Sequence, residues 1–285
     1  PARPALRAPS RCRHAGRWSR AVATEGSGPS YLAQGDEAIA YHHVPGKEPG
    51  VLFCPGFMSE MSGSKALALE AWCRRQGRQF TRFDYRGLGR STGAFAAGTV
   101  GRWAEDAALV LGAVAQGPQV LVGASMGGWI MLLLALRSPE RVAGLVGVAA
   151  SPDFVVRWWD ALDAAAREEL RGQGFYRRPS LYSEEPYVVT RELLEEGRRH
   201  LLLQGPVAVA CPVRLLHGLR DPDVPWQLAL ELAERIAHED VEVHLIKSGD
   251  HRLSTPEDIA RLIATVEELC AGASARAGGP RAAGA

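Results

Sequence analysis

The alternation of short apolar segments with amphipathic segments constrains the fold of this chain more than any other feature. Six segments have the composition of short buried strands: VLFCPGF (51–57), QFTRFDY (79–85), QVLVGA (119–124), VAGLVGVAA (142–150), VRLLHG (213–218) and VEVHLIK (241–247). Apolar residues recur at helical spacing over five further segments: 64–77, 100–115, 126–137, 226–237 and 256–270. Apolar strands separated by amphipathic helices predict an α/β fold, in which helices cover both faces of a mostly parallel, twisted sheet.

Two regions depart from this alternation. Residues 31–33 and 39–43 precede it and predict an antiparallel hairpin at the edge of the sheet. Residues 151–209 interrupt it, with several aromatic residues and arginines, helical segments and no good strand. An insertion of this size between two strands predicts a helical lid over the edge of the sheet, inserted after the sixth strand.

The segment LVGASMGGWI (121–130) carries the first indication of chemistry, because Ser125 stands between Gly123 and Gly127. GxSxG alone is a weak signal, but here a strand runs through it directly into a helix, as a nucleophile elbow requires. The sharp turn of an elbow exposes the serine hydroxyl above the sheet. The free N–H groups of the following helix favour developing negative charge there. Ser125 is therefore the candidate nucleophile.

A serine hydroxyl becomes a good nucleophile only when a base removes its proton. In enzymes with this elbow, the acid and then the histidine follow the serine along the chain. His251 lies in the loop SGDHRLS, between the last predicted strand and the last predicted helix, and is the expected base. His217 ends a predicted strand and His244 lies inside one, so both are interpreted as structural.

The acid that orients His251 is expected in the loop HGLRDPDVPW, which follows the strand 213–218. Asp221 is preferred because it stands just beyond the end of that strand. Asp223 is interpreted as a turn or cap residue before the helix near residue 225. Asp153, which follows the preceding strand, is the third alternative.

Two backbone N–H groups are expected to bind the oxyanion of the tetrahedral intermediate. One is that of Met126, the residue after the nucleophile. The other is that of Phe57, since the turn Gly56-Phe57 follows a strand whose end should face Ser125. Cys54 lies in the same segment but follows apolar strand residues and lacks a partner motif, so it is predicted to be a small buried hydrophobic residue.

Five segments together resemble the alpha/beta hydrolase family: CPGFMSEMSGSKALALE, FDYRGLGRSTG, LVGASMGGWIML, CPVRLLHGLRDPDVPW and SGDHRLS. More closely, the chain is similar to the mitochondrial palmitoyl-protein thioesterases, also known as mycophenolic acid acyl-glucuronide esterases. The likeness runs from about residue 51 to residue 270. The segment SGSKALALE and the lid stretch YSEEPYVVTRELLEEGRRHLLL narrow the match. Members of this group tend to carry serine before the nucleophile, where this chain has Ala124, a small change that should leave the elbow intact.

The resemblance implies a serine hydrolase that acts without a cofactor or a metal. Its expected substrates are fatty-acyl thioesters on protein cysteines and acyl-glucuronide esters, so its partners are S-acylated proteins or small acyl esters. Both reactions pass through an acyl-enzyme on Ser125, which water activated by His251 then hydrolyses. Two alternatives stay open: another carboxylesterase of the same fold, and a ligand-binding protein of this fold with slow turnover.

The lid supplies candidate substrate contacts. Three aromatic residues predict either an apolar channel for an acyl chain or packing of the lid onto the body: Trp158, Trp159 and Tyr176. Three arginines predict either a site for a glucuronate carboxylate or a solvated lid surface: Arg157, Arg177 and Arg178.

The ends of the chain differ from its body. Residues 1–24 contain six arginines, two serines and no acid, which resembles a mitochondrial transit peptide and predicts a mitochondrial, matrix location. A poorly defined N-terminus is the alternative, because the chain lacks a starting Met. Residues 25–270 are then the hydrolase domain, and the low-complexity segment 271–285 is predicted to be disordered.

Charge and composition exclude several classes of protein. The formal net charge of +1 falls to about −5 without the six N-terminal arginines, which argues against a nucleic-acid-binding surface. The longest apolar run, WIMLLLAL (129–136), is far shorter than the roughly 20 residues of a membrane-spanning helix. Five widely spaced cysteines without a CxxC pair exclude a disulfide framework and a zinc site. Nothing in the sequence indicates an oligomeric state.

Overall fold

A computed structural model of the protein describes residues 28–180 and 184–278. Ten strands lie in this part of the chain: β1 (Ser30–Gln34), β2 (Glu37–Val44), β3 (Lys47–Cys54), β4 (Arg78–Phe83), β5 (Gln119–Ala124), β6 (Val142–Val148), β7 (Phe175–Arg178), β8 (Tyr187–Thr190), β9 (Val213–Gly218) and β10 (Val241–Ile246). Eight α-helices accompany them: α1 (Ser64–Arg75), α2 (Val100–Ala113), α3 (Met126–Arg137), α4 (Phe154–Asp160), α5 (Ala164–Gln173), α6 (Arg191–Gly197), α7 (Gln227–Arg235) and α8 (Pro256–Gly278). Within these residues, no helix combines the length and the hydrophobicity needed to cross a bilayer.

Eight of the strands form one sheet in the order β1-β2-β4-β3-β5-β6-β9-β10. The six strands from β4 to β10 in this order are parallel, whereas β1 and β2 are antiparallel and extend one edge. The predicted α/β fold with an edge hairpin is therefore confirmed. Because β3, β5, β6 and β9 are neighbours, the loops at their carboxyl ends converge on one edge of the sheet.

Helices cover both faces of the sheet, as predicted. Side chains of a strand alternate between faces, and in β5 Leu121 belongs to one core while Val120 and Val122 belong to the other. The core that contains Leu121 packs against α2, α3 and α7. The opposite core packs against α1 and α8. The central strands therefore have no solvated face, which explains why β5 and β6 are apolar or small at almost every position.

The segment between β6 and β9 contains more than helices. The part of 151–209 that the structure describes, hereafter the insert, holds α4, α5 and α6 together with a separate two-stranded antiparallel sheet of β7 and β8. The prediction that this segment has no strand is therefore wrong. Each strand has four residues and pairs with a segment well beyond it in the chain, so neither is long enough to produce a period-2 pattern.

The last helix continues further than its apolar pattern. The helix α8 ends at Gly278, eight residues after the predicted end, so the prediction of a disordered tail is wrong for residues 271–278. This segment, AGASARAG, is rich in alanine, which has the highest helix propensity, and Arg276 donates a hydrogen bond to the carbonyl of Ala143. The predicted transit peptide, 1–24, and the rest of the tail, 279–285, lie outside the described residues.

Candidate active site

Ser125 occupies a strained turn between β5 and α3. Its φ and ψ are 51° and −118°, and a positive φ is unfavourable for any residue with a side chain. The turn is enforced on both sides: a Cβ on Gly127 would lie 2.0 Å from the carbonyl oxygen of Cys54, and one on Gly123 would lie 2.3 Å from that of Gly127. The two glycines of GxSxG are thus the residues that let α3 begin directly against β3, with the half-buried Ser125 side chain above the sheet edge.

His251 reaches Ser125 from the loop between β10 and α8. Its Nε2 lies 3.1 Å from the Oγ of Ser125. The loop is held against the end of β9, since a Cβ on Gly218 would lie 2.2 Å from the carbonyl oxygen of Gly249. On its other side, the Nζ of Lys65 donates a hydrogen bond to the carbonyl oxygen of Arg252 (2.5 Å). The loop is therefore fixed on both sides of the imidazole.

Asp221 is the carboxylate that meets His251. Its Oδ2 lies 2.7 Å from Nδ1 of His251, while its Oδ1 accepts hydrogen bonds from the backbone N–H groups of Asp223 and Val224, both 2.8 Å long. Burial by itself would raise the pKa of Asp221, but hydrogen bonds from His217 and His251 outweigh it and hold that pKa well below its usual range. Asp221 is therefore ionised at neutral pH and accepts the Nδ1–H of His251.

The two alternative acids, Asp223 and Asp153, have contacts that differ from those of Asp221. Asp223 is not a helix cap, because α7 begins at Gln227, and its Oδ1 lies 3.8 Å from Nη2 of Arg178 in the insert. Asp153 accepts hydrogen bonds from the backbone N–H groups of residues 202 and 203, so it joins two parts of the insert. Burial raises the pKa of Asp153. Asp221 is the carboxylate that forms the 2.7 Å hydrogen bond with Nδ1 of His251.

The two predicted oxyanion donors lie at the same edge. The N–H of Met126 opens α3, and within the described residues neither it nor the N–H of Phe57 donates a hydrogen bond. The turn that carries Phe57 lies close to Ser125, since a Cβ on Gly56 would be 3.3 Å from the Cβ of Ser125. Two N–H groups without an internal acceptor beside a serine hydroxyl form an arrangement that can bind an oxyanion.

A cavity of about 440 Å³ opens above Ser125 and His251. Its volume lies within the roughly 300–1,000 Å³ of common small-molecule sites. One wall comes from the body, and the other comes from Trp158, Arg178 and Tyr187 of the insert. The geometry therefore connects a hydrogen-bonded serine and histidine to a space that both parts of the chain enclose.

The apolar wall of the cavity centres on Phe57, whose ring sequence reasoning missed. The ring of Phe57 contacts five aromatic rings with centroids 5.2 to 6.3 Å away: Phe95 and Trp103 in the body, and Phe154, Trp158 and Tyr187 in the insert. Most of these contacts are edge-to-face, a favourable arrangement for aromatic pairs. The signal available in the sequence was the aromatic residue next to Gly56; nothing in it singles out Tyr187.

Of the three lid aromatics predicted to bind substrate, the structure brings Trp158 to the cavity. Trp159 instead packs at the edge of the core, where the guanidinium of Arg198 lies 5.2 Å from its ring centroid. Tyr176 is buried within β7 and belongs to the core. For Trp159 and Tyr176 the alternative interpretation, packing of the lid onto the body, is the one observed, because helical and strand periodicity turns neighbouring side chains to different sides.

The three arginines of the insert also have different environments. Arg157 donates hydrogen bonds to the carbonyl of Pro152 and to the hydroxyl of Ser151, and Arg177 pairs with Glu169 at 2.6 Å on the surface of the insert. Arg178 lines the cavity. Its guanidinium lies 4.7 Å from the centroid of the Trp158 ring and makes no hydrogen bond to the described residues beyond the ion pair of 3.8 Å with Asp223. Arg178 is therefore the arginine with donors available to a ligand.

Cys54 lies beneath the site and does not compete with Ser125. It is fully buried, as predicted, and burial raises the pKa of its thiol to about 12. The thiol therefore stays protonated and unreactive at neutral pH.

In the described part of the chain, His, Cys, Asp and Glu side chains come within metal-binding distance of one another at one place, formed by Asp221, Asp223 and His251. Two of these three are already joined to each other by a hydrogen bond.

Comparisons with known proteins agree with this geometry. The family model for the alpha/beta hydrolase fold matches residues 49–187. The chain is 45% identical to the mouse protein named palmitoyl-protein thioesterase ABHD10, mitochondrial, over 232 residues that make up 81% of this chain and 78% of the mouse protein. The human protein of that name is 42% identical over 81% of this chain and 76% of its own length.

The solved structure of the mouse alpha/beta hydrolase domain-containing protein 10 superimposes with a TM-score of 0.81 and 42% sequence identity. The match covers 86% of this chain and 99% of that structure. The insert and the body are thus both represented in the relative. The resemblance inferred from sequence motifs is confirmed, and the chain belongs to the alpha/beta hydrolase family.

Proposed function

We propose that this chain is a serine hydrolase that cleaves acyl thioesters, above all those of S-palmitoylated protein cysteines, and acyl-glucuronide esters. One observation carries the proposal: a continuous hydrogen-bonded series runs from Ser125 through His251 to Asp221 and opens into a cavity with an aromatic wall. The names of the mouse and human relatives, palmitoyl-protein thioesterase, support the choice of thioesters.

The first half of the reaction forms an acyl-enzyme. The Nε2 of His251 accepts the proton of Ser125 while the Oγ attacks the carbonyl carbon of the substrate. The N–H groups of Phe57 and Met126 donate to the resulting oxyanion. The imidazolium, stabilised by the ionised Asp221, then gives its proton to the departing sulfur or oxygen, and the acyl group remains on Ser125.

The second half hydrolyses that intermediate. A water molecule takes the position of the leaving group, His251 removes its proton, and the hydroxide attacks the acyl carbon. Collapse of the second tetrahedral intermediate breaks the bond to the Oγ of Ser125, which recovers its proton from His251. No cofactor is required in either half, because the same imidazole moves every proton.

The cavity supports an acyl chain as the apolar part of the substrate. Phe57, Phe154, Trp158 and Tyr187 line it, and aromatic side chains bury large apolar areas. The insert supplies three of these four residues and acts in this proposal as a lid. The lid and the body would together exclude water from the reacting carbonyl, apart from the hydrolytic molecule.

The acyl-glucuronide part of the proposal rests on Arg178. Its guanidinium lines the cavity and, among the described residues, meets no carboxylate nearer than Asp223, 3.8 Å away. A guanidinium binds a carboxylate well through paired hydrogen bonds. Arg157 and Arg177, the other two candidates, are occupied by hydrogen bonds and an ion pair within the insert. A glucuronate carboxylate near Arg178 would displace the weak contact with Asp223.

We further propose a mitochondrial location. The relatives are named mitochondrial proteins, and the arginine-rich, acid-free residues 1–24 have the composition of a transit peptide. A location in the matrix is the more specific form of this proposal. Expression of the full chain with a C-terminal tag, followed by mitochondrial fractionation and protease protection, tests both statements.

A labelling experiment separates the enzyme from a binding protein of the same fold. A fluorophosphonate probe reacts with an activated serine, so the full chain should be labelled, and Ser125→Ala should not. A separate, unlabelled sample of the same protein is assayed with S-palmitoyl peptide, a short acyl thioester and an acyl-glucuronide, because a labelled Ser125 can no longer form an acyl-enzyme. Labelling without hydrolysis of any of the three contradicts the substrate assignment and favours another carboxylesterase. A folded chain that the probe does not label favours the slowly reacting binding protein.

A further inference from the structure

His217 contacts the acid of the site, although it ends a strand and its position in the sequence suggests only a structural role. The side chain is buried, with 1% exposed. Its Nε2 lies 3.2 Å from Oδ2 of Asp221 and 3.0 Å from the carbonyl oxygen of Val224. Because both neighbours are acceptors, Nε2 must carry a proton, and His217 donates from this nitrogen.

Oδ2 of Asp221 therefore faces the N–H groups of two imidazoles. His251 donates from Nδ1 at 2.7 Å, whereas the Nε2–H of His217 is shared between the carbonyl oxygen of Val224 at 3.0 Å and Oδ2 at 3.2 Å. The other oxygen, Oδ1, accepts two backbone N–H groups, so the carboxylate has three full donors and one shared donor, and its side chain is fully buried. A carboxylate that is buried and shared in this way distributes its charge among its donors instead of directing it at one.

We propose that His217 is a positioning residue for this acid: its Nε2–H holds Oδ2 of Asp221 in line with Nδ1 of His251 and shares the charge of that oxygen. A less concentrated charge stabilises the imidazolium form of His251 less. The inference rests on the proposed function, because it assigns His251 the role of base.

Other charges near the pair act on His251 as well. They come from the loops that flank the acid and the base, from α1, from α4 and from β7: Asp223, Asp250, Arg252, Lys65, Arg157 and Arg178. A substitution at His217 leaves all of these groups in place, so their influence is common to the wild type and the variant. The difference between the two proteins then reports the hydrogen bond from His217.

The test compares two substitutions that differ in one donor. His217→Gln retains a terminal N–H₂ that can reach Asp221, whereas His217→Leu fills the space without a donor. The rate at which a fluorophosphonate probe labels Ser125 is measured between pH 5 and pH 9 in the full chain. This rate depends on neutral His251 and requires no knowledge of the natural substrate.

For His217→Leu, we expect the midpoint of the acidic limb to rise by about 0.5 to 1 pH unit, because loss of one hydrogen bond to the carboxylate strengthens its hold on the imidazolium. The midpoint for His217→Gln should stay close to that of the wild type. A folded His217→Leu variant with an unchanged midpoint overturns the inference, since a merely structural role lowers stability without moving the midpoint. A wild-type chain that the probe does not label overturns the proposed function instead.

A measurement on the wild type covers the case in which His217→Leu does not fold. Side-chain ¹⁵N–¹H correlation spectra distinguish the two tautomers of histidine. His217 should carry its proton on Nε2 over the whole range from pH 5 to pH 9. A spectrum that shows His217 with an unprotonated Nε2 contradicts the hydrogen bond to Asp221 and overturns the inference.

Discussion

The elbow and the insert meet at the same cavity, but different kinds of contact hold them. Around Ser125 the limiting contacts are between backbone atoms, where a Cβ on Gly127 would lie 2.0 Å from a carbonyl oxygen. In the insert, the contacts are between side chains, often between a guanidinium group and an aromatic ring. The guanidinium of Arg178, for example, lies 4.7 Å from the centroid of the Trp158 ring. Backbone contacts in a packed core leave no freedom, whereas side-chain contacts at a cavity can rearrange.

This difference suggests a division of labour. Bond-making atoms need positions accurate to a fraction of an ångström, and the sheet edge supplies them through β5, β9 and the loop before α8. Substrate choice needs a surface that differs from one family member to another, and the insert supplies one wall of the cavity. We therefore expect substitutions at the elbow to affect every substrate and substitutions in the insert to affect some substrates more than others.

The largest effect is expected from Asp221→Asn. The amide no longer stabilises the imidazolium of His251 or holds its reactive tautomer, so kcat should fall by on the order of 10⁴-fold for thioesters and esters alike. Steady-state kinetics give kcat of the wild type and the variant for one thioester and one ester. A loss of kcat confined to one of the two substrates would contradict the proposed division of roles between body and insert.

The same variant has a stability signature with a defined sign. The pKa of Asp221 is held well below its ordinary value of 3.8, so its ionised form stabilises the fold fully above that value. This contribution is lost as the pH falls below about 4 toward the lowered pKa. Chemical denaturation should therefore show a larger difference between wild type and Asp221→Asn at pH 5 than at pH 3.5.

The next largest effect compares two glycines. Gly127→Ala drives a Cβ into the carbonyl oxygen of Cys54 and should reduce the free energy of unfolding by about 3 kcal/mol. Gly172 in α5 of the insert has open space around its Cα, so Gly172→Ala should raise that free energy by about 0.5–1 kcal/mol through helix propensity. Urea denaturation of the wild type and both variants gives the three free energies of unfolding. Equal changes in this free energy for the two variants would contradict the contrast in packing.

A smaller effect should distinguish neighbouring arginines of β7. Arg178→Met should raise KM for an acyl-glucuronide by about 10-fold, since one charge-assisted hydrogen-bond pair is lost, and leave KM for an acyl thioester unchanged. Arg177→Met is the matched control, because Arg177 pairs with Glu169 and does not line the cavity. Equal effects of Arg178→Met on both substrates would rule out recognition of the glucuronate carboxylate.

The smallest effect concerns acyl-chain length. Trp158→Leu shortens the apolar wall of the cavity and should lower kcat/KM for palmitoyl thioesters a few-fold more than for short acyl thioesters. Trp159→Leu removes a ring that packs away from the cavity, so it should leave this ratio unchanged. The ratio of kcat/KM for the two chain lengths is the quantity to compare. A larger change in Trp159→Leu would mean that the insert closes over substrate in a different arrangement.

Much of the fold follows from local patterns. The strands β5 and β9 and the helix α3 begin and end where their apolar patterns predict, because strands buried on both faces and helices beside them have few alternatives. The pair β7 and β8 could not be predicted in this way. Four residues are too few to define a period, and their partner becomes known only when the chain has folded.

In the candidate site, too, some features follow from local sequence and others depend on the tertiary structure. Local sequence by itself determined the elbow, since GxSxG between a strand and a helix satisfies steric conditions that lie within a few residues of Ser125. It also ranked Asp221 before Asp223 and Asp153 as the acid and indicated His251 from chain order. Only the tertiary structure decided which carboxylate meets the imidazole, which of Trp158 and Trp159 faces the cavity, and that His217 shares the acid. These outcomes depend on distances between residues far apart in the chain, and no local pattern encodes such distances.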